Sequence, residues 1–169
     1  MKRVTVDGKS LLATRANVSY FGVHNILSGG NLYHSLTFDD GDVLNNVLVR
    51  SDLEGLLQTV ETRALLFMPL TAGKLILIAI ELPNGELRTV NTGIFWFLST
   101  VYFIRAPVLI ILGLFTFQIV IGIPVLLVGL WELWSIVRYL SKASFVARLH
   151  RIGHMPASVS LPPNGAVPA

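Results

Sequence analysis

The chain has 169 residues, 53% of them hydrophobic and only 14% charged, with a mean hydropathy of +0.65; a soluble domain of this length carries about a quarter charged residues, so the composition points to a membrane protein. Cysteine is absent, which excludes a disulfide framework, a thiolate metal site and a cysteine nucleophile. The formal charge of +3 is unevenly spread: residues 1–91 carry eight Lys or Arg against nine Asp or Glu, whereas residues 92–169 carry five cations and one acid, Glu132.

The N-terminus, MKRVTVDGKSLL, has basic residues without the apolar stretch of a signal peptide. Residues 1–91 then read as a small domain of antiparallel β-strands. Runs rich in β-branched and aromatic residues at 11–23, 33–39, 43–49, 62–69, 74–82 and 86–90 are separated by SGGN, DDGD, TAG and PNG, whose Gly and Asn tolerate the positive φ of tight hairpins. One helix is predicted, SDLEGLLQTV, with Ser51 and Glu54 as a capping box ahead of Leu56, Leu57 and Val60. Three strands, a helix and two strands is the element order of an OB-type barrel, with a sixth strand leading out. A nucleic-acid surface needs cations, and this domain is net acidic. Tyr20, Phe21, Tyr33, Phe38 and Phe67 are therefore read as core or rim, and the domain as a surface for protein contacts or self-assembly.

Residues 94–140 are interrupted only by Arg105, Gln118, Glu132 and Arg138 among strongly polar types. A crossing needs about 20 apolar residues, so two fit. The division read here, within a membrane segment at 92–140, is a helix at 94–114, a turn at 115–118 and a second helix at 119–140. A single tilted span over 106–131 and a hairpin that dips into one leaflet are the alternatives. Two features favour the full hairpin. Arg138, Lys142, Arg148 and Arg151 follow the last apolar run and should stay on the cytoplasmic side, where they can meet anionic headgroups. Trp96 opens the first helix while Trp131, Trp134 and Tyr139 close the second, so an antiparallel pair puts all four in one interfacial belt.

In that register Arg105 is level with Val128 and roughly 16 Å deep. An unpaired cation there costs roughly 2.5–3.5 kcal/mol, so a polar partner is needed. Glu132, one turn away, is the candidate; the competing reading has Arg105 snorkel to headgroups and Glu132 sit at the interface. Gly122 and Gly129 lie seven apart, where small residues allow close helix packing, and Pro107 and Pro124 can kink their helices. Gln118 is read as a turn residue. Beyond the membrane, 141–153 continues as a basic helix ended by Gly153, and 154–169 is rich in Pro, Ser, Ala and Gly and reads as flexible.

No catalytic motif emerges. His150 and His154 have a helical spacing that could hold a metal, but Gly153 intervenes and no further ligands cluster nearby. DDGD lacks the spacing of a calcium loop. The expectation is a non-enzymatic protein without cofactor or metal, in the inner membrane of a bacterium, multi-pass, with both termini cytoplasmic. Its partners would be the bilayer and a second copy or another membrane protein, not nucleic acid. The alternatives are a channel or transporter subunit with Arg105 and Glu132 on a polar path, and a membrane immunity or exclusion factor.

Overall fold

A computed structural model describes residues 1–27, 29–59, 64–70, 73–116, 122–156 and 159. It divides into two units, Met1–Val90 with Arg148–Ala169, and Asn91–Ala147.

Among the described residues the first unit is a sheet of nine strands: β1 (Lys2–Val6), β2 (Lys9–Thr14), β3 (Val18–Phe21), β4 (His24–Leu27), β5 (Gly30–Phe38), β6 (Val43–Arg50), β7 (Ala64–Pro69), β8 (Leu75–Glu81) and β9 (Leu87–Thr89), with helix α1 (Ser51–Thr59) between β6 and β7. The hydrogen-bonded order is β1-β2-β7-β8-β6-β5-β3, with β4 also on β5 and β9 on β8. Two expectations need correction. The sheet is not closed into a barrel, since the pairing path has ends at β1 and at β3 and β4. Nor is it purely antiparallel, because β6 and β8 run parallel, Val47 opposite Leu75 and Leu48 opposite Ile76. The reason is α1: it carries the chain across after β6, so β8 arrives beside β6 in the same direction. The strand predicted at 11–23 is divided, with β2 pairing to β7 and β3 pairing to β5 on either side of residues 15–17.

Burial follows position in the sheet. The central strand β8 reads as a continuous apolar run because both of its faces are covered. Leu53 and Leu57 of α1 are buried, and the helix packs over β5, β6 and β8. Of the five aromatics, Tyr33, Phe38 and Phe67 are core, with Phe38 and Phe67 edge to face at 6.0 Å, whereas Tyr20 is exposed.

Glu54 departs from the capping box. The Ser51 N–H donates to the Gly29 carbonyl, and Glu54 Oε1 instead accepts from Asn31 Nδ2 at 2.7 Å and from the Tyr33 hydroxyl. Helix and sheet are thereby joined by a charge-assisted contact. Burial, then the hydrogen bond to Glu54 and its negative charge, push the Tyr33 phenol from 10.0 up to about 12.

The end of the chain's last helix also belongs to this unit. Arg148 pairs with Asp7 at 3.1 Å, His150 Nδ1 meets Thr89 Oγ1 at 3.0 Å, and the Gly153 carbonyl accepts from Leu87 N–H at 2.9 Å.

The second unit is helical. Helix α2 (Gly93–Phe115) begins where Asn91 Oδ1 accepts the Gly93 N–H and ends where the Thr116 N–H and hydroxyl both donate to the Leu112 carbonyl. Helix α3 (Gly122–Ile152) is one continuous element of 31 residues, running through the division predicted at 140, and stops where Gly153 adopts φ +70. At 1.5 Å per residue it is about 46 Å long. Both helices are long and apolar enough to cross a membrane. Pro107 lies inside α2, which continues past it. Pro124 sits in the first turn of α3, where its missing N–H has no helical acceptor to lose. The turn residue Gln118 lies outside the described residues.

The Tyr33 contact gives a pH-dependent prediction. The folded-state phenol titrates above the unfolded one, so the stability it contributes is full below pH 10 and is lost as pH rises toward about 12. Unfolding of the purified protein followed across this range should show that loss, and Tyr33→Phe should remove it; an identical slope in the variant would refute the assignment.

Candidate functional site

The seam between α2 and α3 is set by small residues. On α2 the buried positions include Phe95, Ser99, Ala106 and Gly113; on α3 they include Gly122, Gly129, Glu132, Ile136, Tyr139 and Ala143. Steps of three and four give one stripe per helix, the pattern of a left-handed pair. Ser99, Ala106 and Gly113 recur every seven residues, as do Gly122 and Gly129. A Cβ added at Gly113 would lie 2.7 Å from Leu126 N, and one at Gly129 would lie 2.9 Å from Ile110 N. The helices therefore touch backbone to backbone at both positions. One step along the seam, Tyr102 and Tyr139 stack at 5.6 Å with ring planes 14° apart.

This contact brings Arg105 and Glu132 together, Nη2 to Oε1 at 3.0 Å. The two side chains are unequally placed. Glu132 is 7% exposed and Arg105 is 61% exposed, so the carboxylate is embedded in the seam while the guanidinium reaches in from its flank. Glu132 Oε2 is buried and has no hydrogen-bond partner among the described residues. A carboxylate removed from water at that position is tolerated only with a cation beside it.

The register differs from the predicted one. Tyr102 with Tyr139, Ile110 with Gly129 and Gly113 with Leu126 place level partners about six positions further along α3 than the pairing of Arg105 with Val128. The cause lies in the turn: α2 continues to Phe115 and α3 starts only at Gly122. Trp96 accordingly lines one groove with Leu140, Ala143 and Ala147.

That shift separates the aromatic belt. Trp96, Trp131 and Trp134 are all exposed, but Trp131 and Trp134 lie roughly 13–18 Å from the level of Trp96 along the axis. Tyr139 leaves the belt altogether, since its ring is buried against Tyr102. The basic residues also part company. Arg138 lies over the Trp134 ring at 5.6 Å and Arg151 is exposed. Arg148 is engaged by Asp7. Lys142 is only 6% exposed, its amine 5.7 Å from the Tyr139 ring, which is no position for meeting a headgroup. Sequence reasoning missed Gly113, Ala106 and Ser99. Their signal was the seven-residue spacing already noticed on the other helix.

No group of three or more potential metal-ligating side chains occurs among the described residues. Asp40 and Asp42 of the DDGD turn are engaged by the Met1 amine. No protein-family profile, curated protein or solved structure matches the chain.

The pair predicts that each single variant leaves a charge without its partner. Arg105→Leu strands a buried carboxylate and should destabilise the protein by about 2–4 kcal/mol, and Glu132→Leu leaves a guanidinium unpaired in an apolar run, at a cost of about 2.5–3.5 kcal/mol. The double variant should recover most of the loss. Denaturation of detergent-solubilised protein followed by circular dichroism measures all three, and a double variant no more stable than the singles would contradict the pairing.

Proposed function

We propose that the chain is a non-enzymatic integral membrane protein. In this reading α2 and α3 cross the inner membrane of a bacterium as a hairpin, both ends remain in the cytoplasm, and the β unit serves protein contacts and self-assembly there. The observation that carries the reading is the character of the helical unit: a seam of small residues holding a charge pair, with large apolar side chains such as Phe97, Phe103, Ile111, Leu114, Leu127 and Leu130 exposed outside it. An exterior that is apolar except where Arg105 reaches in to its acid suits lipid, because lipid solvates hydrocarbon and leaves charges to find one another.

The order of strands, helix and strands still suggests the OB-type plan, with β2 and β3 counted as one bent strand that meets β7 on one side and β5 on the other and with β1 and β4 as additions; α1 follows β6, and the sheet stays open. Its acidic balance still argues against nucleic acid and for protein partners.

A second reading, a transport component, is favoured by the bare Oε2 of Glu132, which a conducted cation or proton could use. Against it, Ser99 turns its hydroxyl back to the Trp96 carbonyl and so does not extend a polar path beside the ion pair. Ion flux through proteoliposomes of the protein alone would favour this second reading.

The absence of cysteine makes topology directly measurable. In intact cells an impermeant thiol reagent should label Thr116→Cys, and should label Arg3→Cys and His154→Cys only after lysis. Labelling of Arg3→Cys but not His154→Cys in intact cells would replace the hairpin by a single crossing. Protection of Thr116→Cys from both sides would replace it by insertion into one leaflet.

A further inference from the structure

The outer margin of the β sheet at β3 and β4 is unlike its other margin. From Val18 to Leu27 the chain runs beside β5 almost without a break, since Gly22 N–H donates to Ser35 O and His34 N–H donates to Val23 O between the two strands. Ten residues of edge are about 33 Å long. Among the described residues β3 and β4 pair with nothing but β5. All four residues of β4 are exposed, on both of its faces, and Ile26 and Val23 are exposed to 82% and 75%.

Such an edge is a template for another strand, and proteins ordinarily protect it with charge. Here there is none: no Asp, Glu, Lys or Arg occurs from residue 16 to residue 38. The opposite margin, β1, is protected in the ordinary way by exposed Lys2 and Arg3.

We propose that the uncharged edge formed by β3 and β4 pairs antiparallel with the same edge of a second copy of this chain. The inference rests on the self-assembly part of the proposed function and names the surface that performs it. Charge selects this partner. A two-fold contact sets each edge against itself, where two β1 edges would bring Lys2 and Arg3 toward their own counterparts, while two β3 and β4 edges meet without repulsion and cover Ile26 and Leu27 with identical apolar neighbours. A foreign extended peptide would need side-chain pockets for selection, whereas all four residues of β4 are exposed. A lipid surface would call for Lys, Arg or Trp beside the apolar residues, and residues 16–38 contain none of these.

The test uses the full chain in native membranes and in mild detergent. Ile26→Cys should form an interchain disulfide on oxidation while Arg3→Cys does not, and Ile26→Lys should weaken association at least about tenfold by placing two like charges in the contact. Its unfolding should match the wild type, because residue 26 is exposed in the single copy. Assembly of the wild type with no disulfide through position 26 and no effect of Ile26→Lys would overturn the edge while leaving self-assembly in place. A wild type that stays at the monomer mass of 18.6 kDa at every concentration would remove both. Quenching of a fluorophore at position 26 by brominated lipid would overturn the edge in favour of the bilayer.

Discussion

Backbone contact between two apolar helices is the constraint on which the helical unit depends. Gly113 and Gly129 let α2 and α3 approach so closely that a methyl group at either position would collide with the facing backbone. Once the backbones touch, Arg105 has no choice of partner. Glu132 lies within reach and its carboxylate is enclosed by the same seam. The charge pair is therefore a consequence of packing as much as a cause of it, which accounts for its asymmetry: the acid is sealed in, and the cation reaches it from outside.

The β unit is held by a different balance. Its centre is the doubly covered strand β8, and its one helix is fixed to the sheet by Glu54, which serves Asn31 and Tyr33 where a capping residue would have served its own helix. The last turn of α3 joins the same unit through Arg148, His150 and Gly153. Two of the cations that give the C-terminal half its basic character thus have partners within the chain: Arg148 in an exposed pair with Asp7, and Lys142 buried beside Tyr139.

Local signals were legible in the sequence and relational ones were not. Turn residues located the hairpins, Ser51 located the start of α1, and Gly153 located the end of α3, because each acts on its own few neighbours. Arg105 could be matched with Glu132 because an isolated charge in a long apolar run has few candidate partners. The register between the helices was set about six positions away, because it depends on where α3 starts: α2 ends within one residue of the expected 114, whereas α3 starts at Gly122 and not at 119. Tyr139 was read as an interfacial ring because its residue type prefers interfaces, while Tyr102, its stacking partner, lies 37 positions earlier in the chain. The parallel pairing of β6 and β8 is a decision of topology, invisible to patterns within either strand. The strand β4 escaped notice because an edge exposed on both faces has no alternation to display.

The proposed function places this helical pair in lipid and the β unit at its cytoplasmic surface, with the uncharged edge of the sheet available to a second copy. Everything in that proposal about the helices assumes that α2 and α3 of one chain pack on each other in the register described. Oxidation of two double-cysteine variants in native membranes tests this directly, with mass measurement after thiol blocking as the readout. Tyr102→Cys with Tyr139→Cys should close an intrachain disulfide, and Tyr102→Cys with Trp131→Cys, which the sequence-derived register would have made level, should not. Closure of the second pair in place of the first, or disulfides formed only between chains, would contradict the account.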